Sequence, residues 1–279
     1  MKKFACEVVT FCPDSKVIKK IKKYSEVFDK VFVYDNTPKE NRNLKLISNK
    51  SNIFIYANGK NDGLSKAYNF FLTNLYGDFD FLCTMDQDSE FNNRDIISMF
   101  KYINKHDMSR IAVIGPHVEY KNNSGYKVER KNSISSKRYL ISSGSFLNIS
   151  LLNSKNIFFD TNYFIDRVDV DFCRQCTNNG YRVVEYGGSV LYQTLGQRTK
   201  YSKLGNHSYK RHYYIFRNRL YFNNKFILKR SRKIILDWLQ TFKHCFYILL
   251  FEDHKVKKIL QLIFALKDYQ QNNMGQGRY

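Results

Sequence analysis

The stretch "FDFLCTMDQDSEF", residues 79–91, decides how this chain folds and where its chemistry lies. Phe79 to Met85 is an apolar run with the length and composition of a buried strand. The run ends in Asp86 and Asp88, two carboxylates one residue apart in a chain of formal net charge +21. Anions this close repel unless a cation lies between them or water solvates both. The spacing therefore admits a metal site or a solvated turn.

Working outward from this strand, strand-like and helix-like segments alternate through the first 120 residues. Phe4 to Phe11, "VFVYDN" (31–36), "NIFIYA" (52–57) and "IAVIG" (111–115) read as strands. Val17, Ile18, Ile21 and Tyr24 form a helical stripe. Leu64, Ala67, Tyr68 and Phe71 mark a helix over 62–75, and Ile96 to Ile103 a third. Such alternation predicts an α/β fold with a mostly parallel sheet covered by helices. Ligands of such sheets collect beyond the carboxyl ends of the strands, where Asp35, Asn36, Asn58, Asp86 and Asp88 fall.

Past residue 120 the pattern changes. A polar stretch, "EYKNNSGYKVERKNSISSK" (119–137), reads as a surface loop or hairpin. An apolar segment broken at Ser142–Ser145 follows, then a helix at about 168–179 and the strand "YRVVEY" (181–186). After a basic connection the chain turns helical. There Ile235, Trp238/Leu239, Phe242 and Phe246 recur at three- to four-residue spacing, as do Val256, Ile259/Leu260 and Ile263. No internal repeat is evident. The expected division is an α/β domain over 1–222 and a basic helical region over 223–279.

With 43% hydrophobic and 16% aromatic residues among 279, the chain can bury a sizeable core, which excludes global disorder. The longest apolar run near the C-terminus, "CFYILLF" (245–251), is far shorter than a membrane span. The opening "MKKFACEVVTFCPDS" reads as a strand, so a cytoplasmic location is expected. Cys6, Cys83 and Cys245 lie in apolar runs, and Cys173–Cys176 form one CxxC pair without a second to complete a zinc site. Residues 197–279 hold 18 Lys and Arg against 4 Asp and Glu, a net of +14, while the first 196 hold 28 against 21, a net of +7. The basic end suggests an anionic partner, nucleic acid or an acidic membrane surface.

Two further stretches carry chemistry. "NDGLSKAYN" (61–69) puts Gly63 at a turn into a helix whose free N–H groups favour an anion. "FIDRVDVDFCRQ" (164–175) gathers Asp166, Asp169 and Asp171 around the start of another helix. Acids are favoured in a first turn, yet three of them among apolar residues are more than caps, and some should face a pocket.

Together these motifs resemble the GT-A-fold glycosyltransferases of family 2, most closely their rhamnosyltransferase-like branch. The matching pieces, in order, are "VTFCPD" (9–14), "VYDN" (33–36), "NDGLSKAYN" (61–69), "MDQDSEF" (85–91), "ISSGSFLN" (141–148), "YFIDRVDVDFCRQCTNNGYRV" (163–183), "LGQ" (195–197) and "HSYKRHYYIFRNRLY" (207–221). The resemblance implies a Rossmann-like sheet and a divalent cation, Mn²⁺ or Mg²⁺, held by Asp88 with Asp86 on the metal or the ribose. Oxygen ligands suit those ions. It implies that Asp35 reads a uracil or thymine ring, with Thr10 and Phe11 lining the base pocket. Donor contacts would extend to Asn36, Asn61, Gly63, Asn69, Gln87, Ser143 and Gly144. Asp169 aligns with the family's catalytic base and Asp171 with its helix support; Asp166 is the rival base, which spacing alone does not separate from Asp169. His207 is a candidate third ligand or diphosphate contact, and Arg211 and Arg217 are candidate phosphate clamps. Many relatives carry a histidine shortly before the "LG", where this chain has Gln193, a poorer metal ligand.

The implied activity is inverting transfer of a sugar, with dTDP-rhamnose the favoured donor and UDP-galactose or UDP-galactofuranose the alternatives. The acceptor would be a saccharide or lipid-linked saccharide in bacterial surface or capsular polysaccharide synthesis. The basic, apolar C-terminal helices would contact the inner face of an anionic membrane, pack on the domain, or pair two subunits in a homodimer. From other classes, a basic nucleic-acid-binding protein or a metal-dependent nucleotidyltransferase is the alternative. The excess charge lies away from the acid motifs and no nucleic-acid module is found, so nucleic acid is not the expected partner.

Overall fold

The computed structural model describes residues 1–39, 43–120, 129–193, 198–199, 202–205 and 207–277. The "LGQ" motif at 195–197 lies outside them. The elements run β1 (Phe4–Thr10), α1 (Ser15–Tyr24), β2 (Lys30–Asp35), β3 (Ile53–Ala57), α2 (Gly63–Asn74), β4 (Phe81–Asp86), β5 (Glu90–Phe91), α3 (Asn93–Lys105), β6 (Ile111–Tyr120), β7 (Ile134–Ser136), β8 (Ser145–Asn148), α4 (Ile149–Ser154), α5 (Val168–Asn178) and β9 (Arg182–Gln193). Then follow β10 (Arg198–Thr199), β11 (Ser202–Gly205), α6 (Tyr209–Phe226), α7 (Arg230–Phe251) and α8 (Lys255–Gln270).

Two compact units divide the chain: residues 1–160 with 168–194, and residues 161–167 with 195–279. The second unit therefore takes in α6 and a short segment before α5, whereas the sequence placed everything up to 222 in the α/β domain.

The first unit is built on a nine-stranded sheet in the order β3-β2-β1-β4-β8-β6-β9-β5, with β7 also on β9. Strands β3, β2, β1 and β4 run parallel, and β8 enters antiparallel between β4 and β6. The expected α/β sheet covered by helices is what forms. β1 is buried along its whole length, as a strand covered on both faces must be. One face packs against α1 through Val17, Ile18, Ile21 and Tyr24 in a single core cluster. The Asp14 side chain caps α1 by accepting from the N–H groups of Lys16 and Val17 at 2.9 and 3.0 Å. Phe4, Phe28, Phe100 and Phe146 fill the centre, with the Phe4 and Phe100 rings 4.1 Å apart. Asp95 fixes α3 to β9 by pairing with Arg130 and accepting from the Val190 N–H at 2.9 Å. Cys173 and Cys176 are buried in α5, and burial pushes the Cys173 thiol up to about 12, so the pair is structural.

The order 3-2-1-4 reverses direction between β1 and β4. Sheets of this kind open a crevice at the carboxyl ends of the strands beside such a reversal. The register puts Thr10 opposite Asp35 and Val9 opposite Asp86, so three neighbouring strands end at one edge.

In the second unit, α6 is the hub. Arg217, fully buried, donates to the carbonyls of Asn273 and Gly275 and to the Tyr213 hydroxyl. Tyr213 donates to Asp268 of α8 at 2.6 Å. Tyr213 and Tyr214 are core residues. The apolar stripe of α7, in contrast, faces away from its own unit: Trp238, Leu239 and Phe242 are all exposed.

One buried group in β1 sets a pH dependence. Glu7 is wholly inaccessible, and neither of its carboxylate oxygens has a hydrogen-bond partner. Burial pushes its pKa well up, so the folded chain keeps a proton that the unfolded chain releases near the usual carboxylate pKa of about 4.3. The residue's contribution is thus full below that pH and is lost as pH rises toward the folded value. Glu7→Gln removes this loss, and its melting temperature should gain on wild type steadily between pH 4 and pH 8. A constant difference across that range would show Glu7 to be ordinarily ionised.

Candidate active site

The strand ends at the reversal carry the polar residues singled out by the sequence. Asp86 closes β4, half-buried. It accepts from the Tyr68 hydroxyl at 2.8 Å, and its N–H donates to Ser143 Oγ at 3.1 Å. Asp88, two residues on, is exposed. Between them, Gln87 clamps the end of β1: its Oε1 accepts from the Phe11 N–H at 2.9 Å and its Nε2 donates to the Phe11 carbonyl at 3.1 Å. Lys20 of α1 donates to the Gln87 and Ser89 carbonyls at 2.7 and 3.0 Å. The loop that presents both carboxylates is therefore pinned on two sides.

Burial first, then the nearby charges of Asp88 and Asp169, push the Asp86 carboxyl up to about 6, against the pull of the Tyr68 hydrogen bond. This places Asp169, 83 residues away in sequence, within electrostatic reach of the Asp86–Asp88 pair. Asp169 lies in the first turn of α5, half-buried, and accepts from the Val170 N–H at 2.8 Å. Asp171 is fully buried and accepts from Gln175 at 2.6 Å, one turn on, as a helix support would.

The second acid cluster thus divides. Asp166 belongs to the second unit and pairs with Arg211 at 3.2 Å. Its backbone is strained: Asp166 and Arg167 both adopt positive φ, at 61° and 64°. Asn218 holds this turn by donating to the carbonyls of Ile165 and Asp166 at 2.7 and 3.0 Å. Neither Arg167's role as a strained neighbour nor Asn218's as its support is visible in the residue pattern. His207 also lies in the second unit, its pKa lowered by burial and then by Arg211 and His212.

The residues expected to line a base pocket are linked by hydrogen bonds. Asp35 is buried; its Oδ1 accepts from Thr10 at 3.0 Å and from Thr37 at 2.6 Å. Thr37, missed by the sequence reading, also accepts from the Cys12 N–H at 2.8 Å. Asn36 accepts from the Asp62 N–H at 2.9 Å and donates to the Gly63 carbonyl at 3.3 Å, tying β2 to the start of α2. Asn61 accepts from the Gly63 N–H at 3.1 Å. Tyr34 and Asn58 both donate to Asp62. Phe11 is exposed beside this group. Gly144 has φ +79°, and a Cβ there would come within 3.1 Å of Leu191 and 3.2 Å of Pro116, so the Ser142–Gly144 turn beside Asp86 needs a glycine.

Two residues expected to contact the donor have their polar atoms bonded within the protein. Asn69 spends both amide atoms on the Phe159 backbone, donating to its carbonyl at 2.7 Å and accepting from its N–H at 2.8 Å. It locks α2 to the segment before α5. Arg217 is a buried structural cation in the second unit, its guanidinium committed to backbone carbonyls and Tyr213; a buried cation has to be so paired. A phosphate clamp needs a reachable side chain, and Arg211, half exposed, is one.

The donor set suits a hard divalent cation. It consists of carboxylate oxygens, and a doubly charged ion would offset both the burial and the like charges that make Asp86 hold a proton. Among the described residues no group of three His, Cys, Asp or Glu side chains converges as a metal site. Two carboxylates with the remaining positions left to water and phosphate oxygens is a pattern typical of Mg²⁺. Asp88→Asn removes one of the repelling charges, so the Asp86 midpoint should fall below about 6 in a carboxyl-detected NMR titration, with the melting temperature little changed. An unmoved midpoint would assign the whole shift to burial.

The sequence profile of the family described as "Glycosyl transferase family 2" matches residues 16–177. No curated protein sequence matches the chain. Among solved structures, S. aureus TarS is similar with a TM-score of 0.62 and 18% identity, over 96% of this chain and 49% of that one. TarS cut to residues 1–349 gives 0.59 and 18%, over 96% and 80%. GalNAc-T7, solved with UDP, GalNAc and Mn²⁺, gives 0.57 and 8%, over 79% and 51%. At such identities the likeness is one of fold, and the chain spans about half the length of the longer TarS and of GalNAc-T7. The profile covers more than half of the chain and takes in Asp35, Asp86, Asp88, Asp169 and Asp171; the chain belongs to glycosyl transferase family 2 and has a GT-A-like fold.

Proposed function

We propose that the protein is an inverting glycosyltransferase that takes a sugar from a nucleoside diphosphate and passes it to a hydroxyl of a saccharide or lipid-linked saccharide. The observation that carries this reading is the placement of the carboxylates: Asp86 closes β4, Asp88 is exposed two residues on, and Asp169 lies half-buried in the first turn of α5, its charge felt at Asp86. A base and a charge-concentrating carboxylate pair at one place are what sugar transfer from a diphosphate requires.

The uracil or thymine ring would enter beside Phe11, its ring N–H donated to the Asp35 carboxylate. Oδ1 of that carboxylate is already held by Thr10 and Thr37, which fixes its orientation for the base. The N-terminus of α2, organised by Asn36 and Asn61, favours the phosphates. A bound Mn²⁺ or Mg²⁺, held by Asp88 and Asp86, would neutralise the charge that develops on the departing diphosphate. His207 as a further ligand and Arg211 as a phosphate contact are proposed on the resemblance. Asp169 accepts the proton of the acceptor hydroxyl. The hydroxyl oxygen bonds to the anomeric carbon as the bond to the diphosphate oxygen breaks on the opposite face, so the anomeric centre inverts. Asp166 is the weaker candidate base, because its carboxylate already pairs with Arg211.

The favoured donor is dTDP-rhamnose, by resemblance to the rhamnosyltransferase-like branch; UDP-galactose and UDP-galactofuranose fit the same base pocket. Synthesis of a bacterial surface polysaccharide is the setting this implies.

Asp169→Asn keeps the shape of the site and removes the base. With a panel of dTDP- and UDP-sugars, donor binding should persist while kcat falls by a factor on the order of 10² to 10⁴. Wild-type turnover in Asp169→Asn together with its loss in Asp166→Asn would transfer the role to Asp166.

A further inference from the structure

The second unit presents a helix whose broader apolar face is open. Along α7 much of what meets α6 is polar, around a small apolar contact at Ile248 and Cys245. Asn223 donates to Asp237 and Gln240 at 2.7 and 2.9 Å, Arg219 donates to Thr241 at 2.7 Å and to the Gln240 carbonyl at 3.0 Å, and His212 bonds His244 at 2.8 Å. The opposite face is apolar and open. Trp238 is 73% and Phe242 72% exposed, with Ile235, Leu239 and Phe246 beside them at helical spacing. α8 buries Leu262 and Ala265 in the same small core yet leaves a second apolar row open. Lys258 is buried against Glu252, while Val256, Leu260, Ile263 and Phe264 face outward. A soluble helix puts its apolar stripe on the core and its polar face in water; in this pair the larger share of the apolar side chains lies on the open face. An exposed apolar area of this extent marks a surface made to be covered.

The charges around it say by what. Lys229, Arg230, Arg232, Lys243, Lys255 and Lys257 are all exposed. The region's acids are Asp237, Glu252, Asp253 and Asp268. Three of them are bonded inside the unit, to Asn223, His212 and Tyr213 respectively, and only Asp253 is exposed. A second copy of this chain would bring a rim of the same sign, and the two would repel. An exposed apolar surface on helices whose exposed charges are almost all cationic matches the headgroups and acyl boundary of an anionic bilayer.

We propose that the outward faces of α7 and α8 dock into the surface of an anionic lipid bilayer, with the helices lying in the plane of the interface. By length and composition α7 could cross a membrane, although its uninterrupted apolar run, Cys245–Phe251, is short. Crossing would strip the hydrogen bonds to Arg219, Asn223 and His212 from its inner face, whereas docking keeps all of them. Trp238, at the centre of the face, takes the interfacial position that tryptophan prefers.

Trp238 is the only tryptophan in the chain, so its emission reports on this face alone. The full chain is titrated with vesicles of phosphatidylglycerol and phosphatidylcholine, and with phosphatidylcholine alone. The proposal predicts a shift to shorter wavelength and quenching by brominated lipid with the anionic vesicles, weakened by salt. The double variant Leu239→Ser/Phe242→Ser changes only exposed side chains; it should keep the wild-type melting temperature and bind vesicles at least tenfold more weakly. Arg230→Glu/Arg232→Glu should lose the preference for anionic lipid. An emission spectrum unmoved by anionic vesicles overturns the proposal, as does equal binding by the Leu239→Ser/Phe242→Ser variant. So does emission already at short wavelength without lipid, with sedimentation as a dimer, which would give the face to a second copy. No sugar donor or acceptor enters this measurement, so its failure leaves the transferase reading untouched.

Discussion

A carboxylate buried at one edge of a sheet, with like charges nearby, is the constraint from which the rest follows. Burial first, and then the charges of Asp88 and Asp169, make Asp86 hold a proton to about pH 6. A fold does not gather such charge for its own stability, since each like neighbour makes ionisation harder. The surrounding structure holds the arrangement against that cost. Gln87 and Lys20 pin the loop, Tyr68 and Ser143 orient Asp86, and a glycine at 144 lets the next turn approach. Charge concentrated at strand ends is a feature common at ligand sites.

Where the ligand lies follows from topology. Chain order and sheet order disagree at one point among the parallel strands, between β1 and β4. The two strands that border this reversal end in Thr10 and Asp86, and Asp35 lies opposite Thr10 on the next strand. The base recognition and diphosphate departure proposed above would fall at these neighbouring strand ends, with α5 carrying the proposed base from the far side of the sequence.

Much of this was legible in the residues. β1, β2 and β4 show as largely apolar runs ending in polar residues because strands buried on both faces favour apolar side chains. The Asp86–Asp88 pair stood out because nothing local explains it. Other features depend on contacts between distant segments and leave no periodic trace. Asn69 looked like a ligand residue, yet its amide is consumed by Phe159, 90 residues on. Arg217 looked like a clamp and is a buried strut. The three acids of 164–175 could not be ranked by spacing; the strained turn at Asp166–Arg167, held by Asn218, sends Asp166 to Arg211 and leaves Asp169 near Asp86. The stripe of α7 was correctly periodic, but period alone does not tell an inward stripe from an outward one, and the polar partners on α6 decided it.

Calorimetric titration of the wild-type chain with UDP and dTDP, with and without Mn²⁺, across pH 5 to 8, bears most directly on the carboxylate cluster. The account predicts nucleotide binding that requires the cation and weakens as pH falls through about 6, where Asp86 takes up its proton. Nucleotide binding that is equal without any divalent cation and flat across that pH range would contradict it.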